Sequence, residues 1–133
     1  MGKEKNDIET REDIYIVVKE FYSKVRIDSL LGPIFNSIIK DWDHHFIHLT
    51  DFWESNVFMI TKYSGNPIVV HQQVDKETAH KIDQSYFVQW LKLWFFTIDE
   101  FYEGDKANIM KNRARNMSTY IFIQMANKRN ESK

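Results

Sequence analysis

The chain contains no cysteine, and that absence removes disulfides, thiolate metal sites and cysteine nucleophiles together. It also has no excess of one charge: 18 Lys and Arg stand against 19 Asp and Glu, for a net charge of −1. Such a balance gives no field to hold nucleic acid or an anionic membrane. No apolar run approaches the span of a bilayer, and the first dozen residues are polar, without the apolar region of a signal peptide. Gly2 invites comparison with a myristoylation motif, but Asn6 stands where Ser or Thr is needed. Repeats, low-complexity blocks, linkers and a dinucleotide-binding glycine pattern are all missing. The expectation is a single soluble, cytoplasmic domain over residues 1–133, with polar tails at about 1–9 and 127–133.

What the sequence does have is aromatic area. Aromatic residues make up 15% of the 133, as ten Phe, six Tyr and four Trp. A chain of this length can bury a core, and surplus rings can fill that core, stack on a flat cofactor or form an adhesive surface. Helical periodicity organises them. Thr10 with Asp13 resembles a capping box, and Ile14, Val17, Val18, Phe21, Tyr22 and Val25 then recur on one face to about Asp28. Gly32-Pro33 interrupts the apolar stretch 30–35 and predicts a short irregular or 3₁₀ segment.

A second helix is expected over about 41–63, with Trp42, His45, Phe46, Leu49, Phe52, Trp53, Asn56 and Ile60 inward, stopped by Ser64-Gly65-Asn66-Pro67. Ile68-Val69-Val70-His71 follows as a single turn or an extended piece, because no partner strand exists. Asp83 is placed to cap a third helix carrying Phe87, Trp90, Leu91, Trp94, Ile98 and Phe101, with Leu93, Phe95, Phe96 and Tyr102 widening its apolar face. After Gly104-Asp105 the last helix runs to about Ala126, with Met110, Ala114, Met117, Ile121 and Met125 inward. The fold class is all-α.

Five histidines carry most of the chemical potential. His44 and His48 share a helix face with Asp51 and Ser55 opposite the apolar stripe, which reads as solvated. His80 lies among charged residues and reads the same way. His45 lies on the inner stripe, where an imidazole needs a partner or suffers desolvation. The Tyr22 hydroxyl and the Trp90 indole N–H pose the same question on two other helices. A pocket lined by such donors and apolar walls suits a small, partly negative ligand. His71 follows an apolar triplet outside any long helix. Such a segment delivers one imidazole between helices, as an axial haem ligand requires, although its own surroundings, taken without the rest of the chain, favour an exposed loop histidine.

Several stretches in order resemble the group III truncated haemoglobins. They are Phe21-Tyr22-Ser23-Lys24-Val25-Arg26, Leu31-Gly32-Pro33-Ile34-Phe35-Asn36, His45 with Phe52-Trp53, and Gly65-Asn66-Pro67-Ile68-Val69-Val70-His71. Trp90-Leu91-Lys92-Leu93-Trp94, Thr97-Ile98-Asp99-Glu100-Phe101-Tyr102 and Arg113-Ala114 complete the likeness, which covers about residues 14–126. The stretch 72–83 is longer and more polar than in many relatives, and Tyr86 stands where the family often has histidine.

The resemblance implies a shortened globin, a two-over-two helical sandwich around haem b. His71 matches its proximal iron ligand, Tyr22, His45 and Trp90 its distal pocket, and Phe35, Leu49 and Trp53 its haem-pocket packing. The implied ligands are O₂, NO and CO. Tyr22 and Trp90 would donate hydrogen bonds to the ligand, with His45 a third donor or a gate. Tight retention suits reaction of O₂ with NO to give nitrate. Reversible O₂ storage, delivery or sensing is the alternative, and peroxidase-like chemistry a variant. No reductase domain fits in the chain, so turnover would draw on an external electron donor. Monomer is the default state. A haem-free helical interaction module is the remaining reading from a different class.

Overall fold

The computed structural model describes residues 5–59 and 84–131. Among them are five helices and no strand: α1 (Arg11–Val25), α2 (Gly32–Ile38), α3 (Trp42–Phe58), α4 (Gln84–Phe101) and α5 (Asp105–Glu131). α1 packs on α3 and α4 on α5, while α1–α4 and α3–α5 contacts join the two pairs. The all-α expectation holds.

α1 starts where its sequence says it should. The Thr10 side chain accepts from the Asp13 N–H, and the Asp13 carboxylate accepts from the Thr10 N–H, a reciprocal cap. Its stripe of Ile14, Val17, Val18, Phe21, Tyr22 and Val25 is buried as read. The α1–α2 corner is held by Asp28, whose carboxylate accepts from the backbone N–H groups of Leu30 and Leu31. Its other oxygen takes the Gln89 amide at 2.7 Å, tying this corner to α4 one residue before Trp90. A Cβ at Gly32 would lie 2.8 Å from the Arg26 carbonyl oxygen, so only glycine lets α2 begin this close to the end of α1.

Several boundaries differ from those expected. The segment after Gly32-Pro33 is a short α-helix, with proline in its first turn, where a missing N–H costs nothing. α3 ends at Phe58, with Met59 left-handed (φ 60°), short of the expected 63. α5 continues past Ala126 to Glu131. Within the expected N-terminal tail, Ile8 is fully buried. The neighbouring Asp7 carboxylate accepts from the N–H groups of Lys106 and Ala107 at the start of α5. Burial works to raise the Asp7 pKa, but these bonds and one from Ile8 outweigh it and hold the carboxyl below its usual value. Gly104 (φ 145°) makes room for this cap, since a Cβ there would sit 2.5 Å from the Asp7 side chain.

The stripes are corrected too. On α4, Trp94, Thr97 and Ile98 are buried, but Phe96 and Phe101 are exposed. On α3 the closed face is Phe46, Thr50, Trp53, Glu54 and Val57. Thr50 is admitted because its hydroxyl donates to the Phe46 carbonyl at 2.7 Å, and Glu54 because Arg11 reaches it at 2.8 Å. The expected inner residues His45, Leu49 and Phe52 are half-buried, and they face something other than a packed core.

Candidate functional site

What they face is a cavity of about 300 Å³ between the helix pairs. Its described wall includes Tyr22 from α1, Phe35 from α2, His45, Leu49 and Trp53 from α3, and Trp90 from α4. These are all the candidate site residues named from sequence except His71, which lies outside the described residues, as do the turn at 64–67 and the stretch 72–83. The remaining wall is mostly apolar, including Ile34, Ile38 and Ile39 and the α5 residues Met117, Ile121 and Met125. A void of this size and lining is that of a small-molecule or cofactor site.

Helical geometry explains the convergence. α1 turns Tyr22 inward on the stripe that carries Val18 and Val25. The capped start of α3, where Asp41 accepts from the His44 N–H, sets His45 in its first turn, so that Leu49 and Trp53 follow along the helix. The Tyr22 and His45 rings meet edge-on at 5.0 Å, and Phe35 lies 5.8 Å from Tyr22. Behind them Trp90, Trp94 and Trp53 form a row, with Trp90–Trp94 at 5.6 Å and Trp53–Trp94 at 5.0 Å. The Trp94 N–H is satisfied by the Met110 carbonyl at 3.2 Å.

The polar groups on this wall are unusual in their satisfaction. The Nε2 atom of His45 is buried and has no hydrogen-bond partner. Burial, reinforced by the His48 and His44 imidazoles, lowers the His45 pKa to about 4, so the ring is neutral at pH 7. Burial pushes the Tyr22 phenol far above its usual value, while a hydrogen bond from Trp90 works the other way. Because an indole N–H can only donate, Tyr22 is the acceptor in that bond and its own proton stays available. The two groups expected as parallel donors are therefore coupled in series, with Trp90 behind Tyr22.

Two features, one on this wall and one beside it, were not legible in the sequence. His48, read as solvated, is half-buried and reaches the cavity, while its ring-stacking neighbour His44 (6.3 Å) is exposed. Gln89, whose amide holds the Asp28 corner, carried no sequence signal beyond lying next to Trp90. Among the described residues no group of three or more His, Asp or Glu side chains is arranged to hold a metal ion, and no helix is long and apolar enough to cross a membrane.

No protein-family model matches the sequence. Over 115 residues the chain is 29% identical to the group 3 truncated hemoglobin of Campylobacter jejuni, covering 84% of this chain and 87% of that protein. The crystal structure of group III truncated hemoglobin from the same organism aligns with a TM-score of 0.80 at 28% identity, over 91% of this chain and 94% of the other. The fold is the truncated globin fold, and the family likeness read from the motifs is borne out.

Proposed function

We propose that this chain, a truncated globin in fold and similar to group III in sequence, binds b-type haem in the cavity and uses it to hold diatomic ligands such as O₂, NO and CO. The observation that carries this reading is the wall itself: apolar surface on most sides, with a buried, unpartnered imidazole nitrogen at His45 beside the Tyr22–Trp90 pair. A buried polar atom without a partner costs roughly 1–3 kcal/mol, and a fold retains that cost where a ligand is to be met. The donor set is chemically suited to the group. Phe35, Leu49 and Trp53 offer flat and aliphatic surface for a porphyrin, and His71 is the side chain assigned to the iron.

When bound, the haem would supply an iron centre able to take a diatomic ligand, with His71 as the residue to hold it. The protein's own part is polarity at the ligand's outer atom. Tyr22 stays protonated at all ordinary pH, since burial raises its pKa, so it donates rather than repels. Trp90 fixes the direction of that donation by occupying the hydroxyl's acceptor side. Neutral His45 adds a second polar group that carries no charge at pH 7. The aliphatic remainder excludes water, which strengthens each of these bonds.

A pocket that retains O₂ through donors favours chemistry on the ligand over rapid exchange. We therefore place conversion of NO and O₂ to nitrate, with electrons from an external donor, ahead of reversible O₂ storage, delivery or sensing. Peroxidase-like use of the same polar wall is a variant of the first.

The deciding experiment is the absorption spectrum of the ferrous and CO-bound protein, for wild type and His71→Ala. Wild type is expected to show a histidine-ligated haem, and His71→Ala to lose that spectrum. An unchanged mutant spectrum removes His71 from the iron, and a chain that takes up no haem removes the reading altogether. Tyr22→Phe is expected to speed O₂ dissociation by about twofold to tenfold, the worth of one neutral hydrogen bond. Trp90→Phe should add little in the Tyr22→Phe background, because the two act in series.

A further inference from the structure

We propose that Arg26 and Trp42 form a latch that keeps the His45 imidazole turned into the cavity, which makes them positioning residues for ligand admission. The proposal deepens the reading above and rests on it for the ligand. It starts from a question of forces. His45 Nε2 has no hydrogen bond to hold it inside, and desolvation favours its release to water. Its inward orientation must therefore come from the surfaces against the ring.

Those surfaces are two aromatic rings. Tyr22 meets the imidazole edge-on at 5.0 Å from the cavity side (77°), and Trp42 meets it edge-on at 5.9 Å (89°). Trp42 is the first residue of α3 and also packs on Tyr22 at 5.5 Å. On Trp42 rests the guanidinium of Arg26, the C-terminal cap residue of α1, at 4.5 Å from the indole centroid. The Arg26 backbone is held in turn, since its carbonyl accepts from the Asn36 side chain at 3.0 Å. No carboxylate among the described residues forms an ion pair with Arg26, so its charge is spent on the indole face. The stack ties the end of α1 to the start of α3 across the His45 ring. A cation–π contact at an exposed site is weak enough to break thermally and strong enough to bias the ring inward.

Among the described residues, the charged and titratable groups around His45 are few. They are His44, His48 and the capping Asp41 on or beside its own helix, Tyr22 and Arg26 on α1, and Tyr86 of α4 on the same cavity wall. α2 contributes none. Of these, His48 and His44 hold the His45 pKa down after burial itself, and neither belongs to the latch.

The test is an NMR titration of the His45 ring in the full chain, alongside CO association to the haem-loaded protein. In Trp42→Leu, which leaves the Arg26 charge in place, the His45 midpoint should rise from about 4 towards the ordinary value of about 6.5. CO association should quicken in the same variant. In Arg26→Gln the rise should be about half a pH unit and the association rate on the order of threefold higher, the worth of one cation–π contact. Arg26→Lys, which keeps a cation over the ring, should restore most of the wild-type midpoint. Unmoved midpoints in both Trp42→Leu and Arg26→Gln overturn the latch. If Trp42→Leu does not fold, exposed Arg26 decides alone. A raised midpoint in a chain that binds no haem supports the latch and sinks the proposed function. A haem-loaded chain with unmoved midpoints does the reverse.

Discussion

α3 has two faces that obey different rules. On one, Phe46, Thr50, Glu54 and Val57 are buried, and the polar members are paired: Thr50 with the Phe46 carbonyl, Glu54 with Arg11. About a third of a turn away, His45, Leu49 and Phe52 are only half-covered and stand against the cavity, where His45 Nε2 has no partner at all. The same contrast runs through α4. Ile98 is fully buried in the core, while Trp90 presents itself to the void. One face is shaped by the cost of leaving atoms unpacked or unpaired, and the other tolerates both. Native folds keep such violations where a ligand completes the packing.

The contrast can be broken by substitutions of matched size. Ile98→Ala removes side chain from the closed face and should cost about 2–5 kcal/mol, read by urea or thermal unfolding. Leu49→Ala removes the same atoms from a wall that already borders a void, and should cost less, about 1–2 kcal/mol. Equal losses at the two sites would mean that the cavity wall is packed like the core. Asp7→Ala tests the closed end of α5. Loss of a cap that accepts two helix N–H groups should cost about 1–2 kcal/mol, with faster amide exchange in the first turn of that helix.

The smallest effect should also have the opposite sign. His45→Leu replaces an unpartnered imidazole by an apolar group and should leave stability unchanged or slightly raised, the usual trade of a functional polar group for stability. A clear loss would show that His45 is satisfied after all. The same residue predicts a pH dependence. Its pKa is about 4 in the fold and about 6.5 unfolded, so between those values the unfolded chain binds the extra proton. The contribution of neutral His45 is complete above pH about 6.5 and is lost as pH falls through about 4. Subtracting the His45→Leu curve from wild type should isolate that slope.

How much could be read beforehand follows from these forces. The first helix was legible to its cap, because Thr10 and Asp13 lie within one turn of each other and its stripe is buried throughout. Tyr22, His45 and Trp90 could be found as inward polar groups by spacing. Spacing could not say that the stripe through His45 lines a void while the core face is displaced to Thr50 and Glu54, since polar side chains enter a core only where others, here Phe46 and Arg11, satisfy them. Nor could it show that Trp90 backs Tyr22, or that Asp7, in an apparently polar tail, caps a helix about a hundred residues away. Pairings across such distances leave no periodic trace.

The sequence by itself determined the helices, their inward aromatic groups and the absence of disulfides and thiolate chemistry. It also carried, in its motifs, the family likeness that the truncated globin fold bears out. These are local or compositional properties, set by neighbours in the chain. Only the tertiary structure decided which inward residues meet packed atoms and which meet empty space. It also showed that one imidazole nitrogen goes unpaired, that Trp42 packs edge-on against that ring and that Arg26 rests on Trp42. The physical reason is that satisfaction of a buried group depends on what the other helices bring to it, and no single helix encodes that.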